Sequence, residues 1–273
     1  MTDVSPTWRE ALEPEPTSAT TVFGEHLETA RRFTESLAEY GEELGLIGPL
    51  ELPRLWTRHI LNSGLVAPLL RPGRVGDVGS GAGLPGLLLA IARPDVHLTL
   101  IEPMERRVAW LARQVDELGL ENVDVVRARA EDAKLKGQLD QVTARAVSAL
   151  RTLIPVTAPL LRPGGELILM KGGGVDAEIG AAEKAIRKFR LENVEVVVLG
   201  AGVVEDVTRV FRARVPAELA RTTARRVRHR VTSVERFDPH ALGDVPSFCA
   251  PCLGSRPSSA PQDRVGTAPT GSA

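Results

Sequence analysis

Cysteine is almost absent from this chain: 273 residues hold two, Cys249 and Cys252, both near the C-terminal end. A disulfide framework is therefore excluded as the organising principle of the fold. The C-x-x-C spacing has no second ligand pair for a zinc site and none of the strand–helix surroundings of a redox motif, so it reads as incidental. Long apolar runs are missing too. Leu84 to Ala92 and Leu167 to Met170 fall well short of the ~20 residues that a membrane helix needs. Met1 to Pro16 is acidic and proline-containing, without a basic start or an apolar centre. No secretory leader or membrane attachment is expected, and the expected location is the cytoplasm. Nor is there an excess of one charge: the formal net charge is −1, so overall charge does not make the chain a polyanion binder. Its distribution is uneven, since the segment 221–236 has six arginines against one glutamate. That cluster reads equally as a phosphate-contacting patch or as a solvated basic tail.

What is present is a regular alternation. Leu27, Ala30, Phe33, Leu37, Tyr40 and Leu44 recur at helical spacing, which predicts an amphipathic helix over about 24–46. Gly45 and Gly48-Pro49 stop it, and a second helix is expected from Pro53 towards Leu70. From Arg74 onward, β-prone runs alternate with helical ones. The strands are expected at 75–78, 97–101, 123–128, 141–144, 166–170, 194–199 and 207–215, with helices near 85–92, 104–118, 149–161 and 176–190. Such alternation implies an α/β fold with a seven-stranded, mostly parallel sheet. The link 200–206 is too short for a parallel crossover, so the last two strands form a C-terminal antiparallel hairpin. The expected organisation is a disordered N-terminus (1–20), an N-terminal helical cap (21–72), the α/β domain (73–216), a basic extension (217–243) and a disordered tail (244–273). No internal repeat is visible.

The chemistry concentrates at Asp77-Val78-Gly79-Ser80-Gly81-Ala82-Gly83. Its glycines let a strand turn sharply into a helix and let backbone approach a ligand without an intervening Cβ. In a sheet of this kind that turn lies at the C-terminal strand ends, where ligands bind. The glycines alone are ambiguous, because Gly81-x-Gly83-x-x-Gly86 also satisfies the dinucleotide fingerprint. Glu102, closing the second strand, suits an acid that grips ribose hydroxyls, and that too serves NAD and S-adenosylmethionine alike. Three features favour the methyl donor: the D-x-G-x-G-x-G spacing from Asp77, the terminal hairpin in place of a second βαβαβ half, and Ala130-Glu131-Asp132 after the third strand. These predict a Rossmann-like class I methyltransferase domain over 73–216, with S-adenosylmethionine as methyl donor.

Exclusion narrows the acceptor. Methylation at pyrimidine C5 needs a cysteine nucleophile, and both cysteines lie outside the expected domain. The Asn/Asp-Pro-Pro-aromatic motif of exocyclic-amine methylation is absent after the fourth strand, where the chain reads Thr143-Ala144-Arg145-Ala146-Val147-Ser148. A ready-made nucleophile such as guanine N7, or a small molecule, remains. N7 has no proton to remove, so methylation there needs little beyond proximity and in-line orientation.

At this point the residues resemble a known family. Asp77 to Gly86, ending Gly83-Leu84-Pro85-Gly86, is similar to the signature of the bacterial 16S rRNA guanine-N7 methyltransferases, also called glucose-inhibited division protein B. Arg58-His59-Ile60-Leu61-Asn62-Ser63, Arg145-Ala146-Val147-Ser148-Ala149-Leu150 and Leu169-Met170-Lys171-Gly172 resemble its other segments, in order, across roughly 22–215. The resemblance implies rRNA methylation at N7 of a guanine, position 527, in the decoding-region loop of 16S rRNA. Its partners would be 16S rRNA or the small ribosomal subunit, and a monomer is expected. The implied donor contacts are Gly79 and Leu84 at the methionine end, Glu102 at the ribose, Ala130 and Glu131 beside the adenine, and Arg145 near the methyl group. Asp77 and Gly81 belong to the same turn. The mechanism is one of proximity, and the candidates for a direct role are Arg145 and Lys171, each at a strand end. The family often carries an acid where this chain has Asn62, so no catalytic role goes to that position. The chain also runs on for about 58 residues past Val215, and the resemblance explains neither that stretch nor its arginines. His59 shares a helix face with Asn62 and reads as cleft-facing or structural, while Trp56 reads as core. A methyltransferase acting on another RNA or on a small molecule is the alternative; an NAD-dependent oxidoreductase and a non-catalytic RNA-binding protein stand behind it.

Overall fold

The computed structural model describes residues 7–204 and 206–217. The arginine cluster at 221–236, the rest of the basic extension, Cys249, Cys252 and the tail at 244–273 lie outside the described residues, as do residues 1–6.

Seven strands form one sheet in the order β3-β2-β1-β4-β5-β7-β6. They are β1 (Gly73–Val78), β2 (Val96–Ile101), β3 (Val123–Val126), β4 (Leu139–Arg145), β5 (Leu161–Lys171), β6 (Glu192–Leu199) and β7 (Thr208–Arg214). Pairing is parallel from β3 through β5, and β7 runs antiparallel to both β5 and β6. The hairpin expected at the C-terminal side is present, with one refinement: its second strand inserts beside β5 and its first becomes the edge. Strand order reverses direction between β1 and β4, and the crevice at that switch point is where such sheets bind ligands.

Strand side chains alternate between two apolar layers. Val75, Leu98, Leu100, Ile168, Met170 and Val210 face one layer, whereas Val78, Ile101, Val142, Leu167, Leu169 and Phe211 face the other. The helices are α1 (Trp8–Ala11), α2 (Ser18–Phe23), α3 (Leu27–Tyr40), α4 (Asn62–Gly64), α5 (Gly86–Ala92), α6 (Glu105–Leu118), α7 (Leu150–Thr157) and α8 (Val175–Lys188). The first layer is covered by α2, α3, α5 and α6, and the second by α7 and α8. The stripe on α3 buries Leu27, Ala30, Phe33 and Leu37 as its spacing predicts, and Trp56 is core. Among the described residues no helix is long and apolar enough to cross a membrane.

Two expectations change. Disorder over 1–20 does not hold for residues 7–20, which contain α1 and the start of α2. Thr7 and Glu10 form a reciprocal capping box, Glu13 accepts the Thr57 amide at 2.9 Å, and Glu15 takes both arms of Arg31. The acids that look solvated in the sequence are thus paired. The single helix expected from Pro53 to Leu70 is instead a broken run: a 3₁₀ turn (Leu52–Arg54), a π-helical stretch (Trp56–Leu61), α4, and another 3₁₀ turn (Ala67–Leu69). Side chains enter its backbone ladder there, with Ser63 Oγ and Asn62 Nδ2 donating to the carbonyls of His59 and Arg58. Such i−4 back-bonding distorts helices.

Candidate active site

The glycine-rich turn is held from beneath. Asp77 at the end of β1 is buried, and its Oδ2 accepts the Gly86 amide at 3.2 Å. A Cβ at Gly86 would stand 2.5 Å from that same oxygen, so glycine is required for the carboxylate to reach the start of α5. Burial pushes the Asp77 carboxyl up to about 7, because desolvation disfavours its charged form. Its Oδ1 has no hydrogen-bond partner. Trp110 on α6 donates its indole N–H to the Ala82 carbonyl at 3.0 Å, clamping the turn from the side.

In front of the turn lies a cleft of about 480 Å³. Gly79, Glu102, Ala130, Glu131 and Arg145 line it, together with Val78, Ile101, Met104, Arg107, Val147 and Val156. Of the donor-contact candidates, five are thereby brought together. The other three do not line it: Leu84 is packed in the core, Asp77 lies below, and Gly81 spends its amide on Glu102. Glu102 is 2% exposed and takes one backbone N–H on each oxygen, from Gly81 and Met104, both at 3.0 Å. A carboxylate has about four acceptor positions, so two remain for hydroxyl groups. At Gly79 φ is +72°, and a Cβ would meet Val147 Cγ2 at 2.8 Å. That valine follows Ala146, which holds φ +54°, a left-handed conformation costing an L-residue about 1–2 kcal/mol. The strained loop lays Val147 across the glycine turn. Spacing alone signals neither Val147 nor Arg107.

A second recess of about 330 Å³ adjoins the first. Arg58, Asn62, Met170, Lys171, Asp206 and Thr208 line it, and Arg145 and Ala146 are common to both. Arg145 therefore forms the partition. Its Nη2 lies 2.5 Å from His59 Nδ1, and His59 Nε2 lies 2.6 Å from Glu51 Oε2. Burial lowers the Arg145 guanidinium to about 10 and, with Arg145 beside it, the His59 imidazole to about 4; at neutral pH the arginine is charged and the histidine is not. Lys171 is less available than its strand-end position implies. Its ammonium donates to the Ser148 carbonyl at 2.9 Å and pairs with Glu178 at 2.8 Å, so it props the loop after β4. Asn62 accepts from Thr208 Oγ1 at 2.8 Å, tying the π-helical run to β7.

The chemistry of this lining fits S-adenosylmethionine. A cleft of this size suits a nucleoside-bearing ligand, with Val78, Ile101 and Val156 offering apolar walls, Glu102 offering ribose acceptors, and Gly79 leaving room that a Cβ would fill. The model of the rRNA small subunit methyltransferase G family matches residues 26–207, the span that holds every residue of both recesses except Thr208. The chain belongs to this family. It is 69% identical over 206 residues to ribosomal RNA small subunit methyltransferase G of Leifsonia xyli subsp. xyli, covering 76% of this chain and 99% of that relative. The protein of that name from Clavibacter michiganensis is 65% identical over 204 residues, covering 75% and 97%; that of Renibacterium salmoninarum is 49% identical over 205, covering 74% and 95%. The protein is an S-adenosylmethionine-dependent methyltransferase.

Proposed function

We propose that this methyltransferase modifies N7 of a guanine in the decoding-region loop of 16S rRNA, at position 527. The family to which it belongs names the small-subunit RNA, and the observation carrying the finer reading is the recess beside the donor cleft. That recess sets the cations Arg58 and Arg145 against the carboxylate of Asp206. Guanine presents acceptors at O6 and N7 and a donor at N2, so one base can answer both signs. N7 carries no proton, so methylation there requires no general base, and the Asp206 carboxylate is left to accept from the base's N2 amine. His59 has both ring nitrogens committed, and Lys171 is tied to Glu178.

The bound donor supplies an electrophilic sulfonium methyl group. The protein's part is to bind and orient. Glu102 holds the ribose, Gly79, Ala130 and Glu131 shape the cleft, and the turn at Asp77, Gly81 and Leu84 supports it from within the domain. Arg145 sits where donor and base meet. Because a guanidinium donates but never accepts, it serves O6 or the donor carboxylate and leaves N7 free. The working form in this reading is a cytoplasmic monomer. The segments 21–72 and 73–216 act in this reading as helical cap and methyltransferase domain.

The test is incorporation of labelled methyl from S-adenosylmethionine into small subunits, and separately into naked 16S rRNA, from cells lacking this modification. Labelling of either substrate, absent when the RNA already carries the mark, is expected. A folded, donor-binding protein that labels neither refutes the proposal.

A further inference from the structure

Arg145 needs something to hold it, and what holds it is 86 residues away in the sequence. Among the described residues its guanidinium makes one hydrogen bond, from Nη2 to His59 Nδ1 at 2.5 Å. The contact settles which ring nitrogen bears hydrogen. A guanidinium has five N–H donors and no acceptor, so Nδ1 must be the bare, accepting nitrogen. The ring proton is then on Nε2, where it donates to Glu51 Oε2 at 2.6 Å. Glu51 is anchored in turn: its Oε1 accepts from Arg54 at 2.8 Å, and Arg58 Nε approaches Oε2 at 3.7 Å. The charged groups around the imidazole are thus Glu51, Arg54 and Arg58 from its own segment and Arg145 from β4, with Asp77 beyond Arg145.

We infer that His59 is a positioning residue for methyl transfer: as a neutral imidazole with its proton on Nε2, clamped by Glu51, it fixes the Arg145 guanidinium at the partition between the donor cleft and the neighbouring recess. This rests on the assignment of those two recesses to donor and acceptor. The π-helical run carries His59 and Arg58 together, so one segment contributes both a wall of the recess and the anchor of its partition. A single anchored arm leaves the remaining Arg145 donors open to ligand. Of the carboxylates acting on the Arg145 guanidinium, Asp77 beneath the glycine turn attracts it more than Glu51 does, so a guanidinium released from its anchor is drawn towards the turn. Misplacement of a positioning group by about 1 Å is enough to cost on the order of 100-fold in rate. Burial and the adjacent arginine keep the ring neutral through the physiological range, which the accepting role requires.

Three substitutions separate positioning from bulk structure. His59→Asn retains a carbonyl oxygen near the place of Nδ1, His59→Gln moves the amide out to the place of Nε2, and His59→Phe removes both functions. Steady-state methylation and donor titration are measured on each full-length variant. The expected pattern is a loss of kcat of about 10- to 100-fold in the Gln and Phe variants, donor Kd within about threefold of the parent, and recovery of most of the kcat in the Asn variant. Glu51→Gln keeps an acceptor for Nε2–H and is expected to outperform Glu51→Ala, which covers the case in which the Phe variant fails to fold. Independently of activity, ¹⁵N NMR of histidine-labelled protein, with the His59 signal identified by its loss in the Asn variant, is expected to show Nε2 protonated and Nδ1 bare. A proton on Nδ1, undiminished kcat in the Gln variant, or an Asn variant no better than Gln overturns the inference. An unsubstituted protein that shows this tautomer but methylates no RNA refutes the functional reading instead.

Discussion

Replacing Gly79 by alanine adds one methyl group where the β1 turn meets the loop after β4, and two costs follow from the geometry. At φ +72°, an L-residue pays about 1–2 kcal/mol for the left-handed region. The added Cβ also falls 2.8 Å from Val147 Cγ2, too close for any real contact. Val147 is 42% exposed and can swing aside, so the steric part is relieved by moving its side chain within the cleft. Stability should therefore drop by about 1–2 kcal/mol, a fall in Tm of roughly 2–8 °C for a domain of this size. Donor affinity should fall further, by about tenfold or more, since a 1.4 kcal/mol change in a close-fitting pocket is tenfold. The double variant with Val147→Ala removes the collision and leaves the backbone strain. It should regain donor affinity without regaining stability. Urea unfolding and calorimetric titration with S-adenosylhomocysteine measure the two separately. A Gly79→Ala protein as stable as its parent within about 0.5 kcal/mol, with unchanged titration, refutes this account of the turn.

Asp77 supplies a pH signature. Its folded carboxyl is raised to about 7 from an ordinary 3.8, so the folded state holds the proton more tightly than the unfolded one and stability falls as pH rises between about 4 and 7. Asp77→Asn removes that slope; its unfolding free energy relative to the parent should improve from pH 4.5 to pH 8, and a constant difference contradicts the assignment. Trp110→Phe keeps the ring in the core but strands the Ala82 carbonyl, which should cost about 1–3 kcal/mol in urea unfolding and weaken donor binding; full stability and affinity would show that the clamp is idle. Asp206→Ala should raise the RNA KM at least fivefold while leaving donor Kd alone, and an unchanged KM removes Asp206 from guanine recognition.

Much of the fold was legible because the parallel strands are short, valine-bearing runs between turn signals: β1, β2 and β3 start and end within about two residues of their expected limits. β5 begins earlier than expected, at Leu161, because the register shifts between Leu139 and Gln141 and carries Pro163-Gly164-Gly165 into the strand. Those residues signal a loop locally, and only tertiary pairing overrides them. The π-helical run was hidden for a related reason, since its distortion comes from side chains bonding back to carbonyls and from contacts with β7. In the site, Gly79 and Glu102 were visible because their spacing is local to one βαβ unit. The Glu51–His59–Arg145 chain was not, because the link from His59 to Arg145 spans 86 residues and forms only once the sheet brings β4 beside the π-helical run. Lys171 shows what strand-end position leaves out: its ammonium looks free in the sequence, and Glu178, seven positions on, pairs with it.

The most direct measurement is the position and atom of the methyl group. N7-methylation leaves guanosine open to borohydride reduction and aniline cleavage, which breaks the strand at the modified residue. Small-subunit RNA from cells lacking the modification, incubated with the protein and S-adenosylmethionine, should acquire one new cleavage at guanine 527, dependent on both. Labelled RNA that resists cleavage there, or that cleaves at another guanine, contradicts the account.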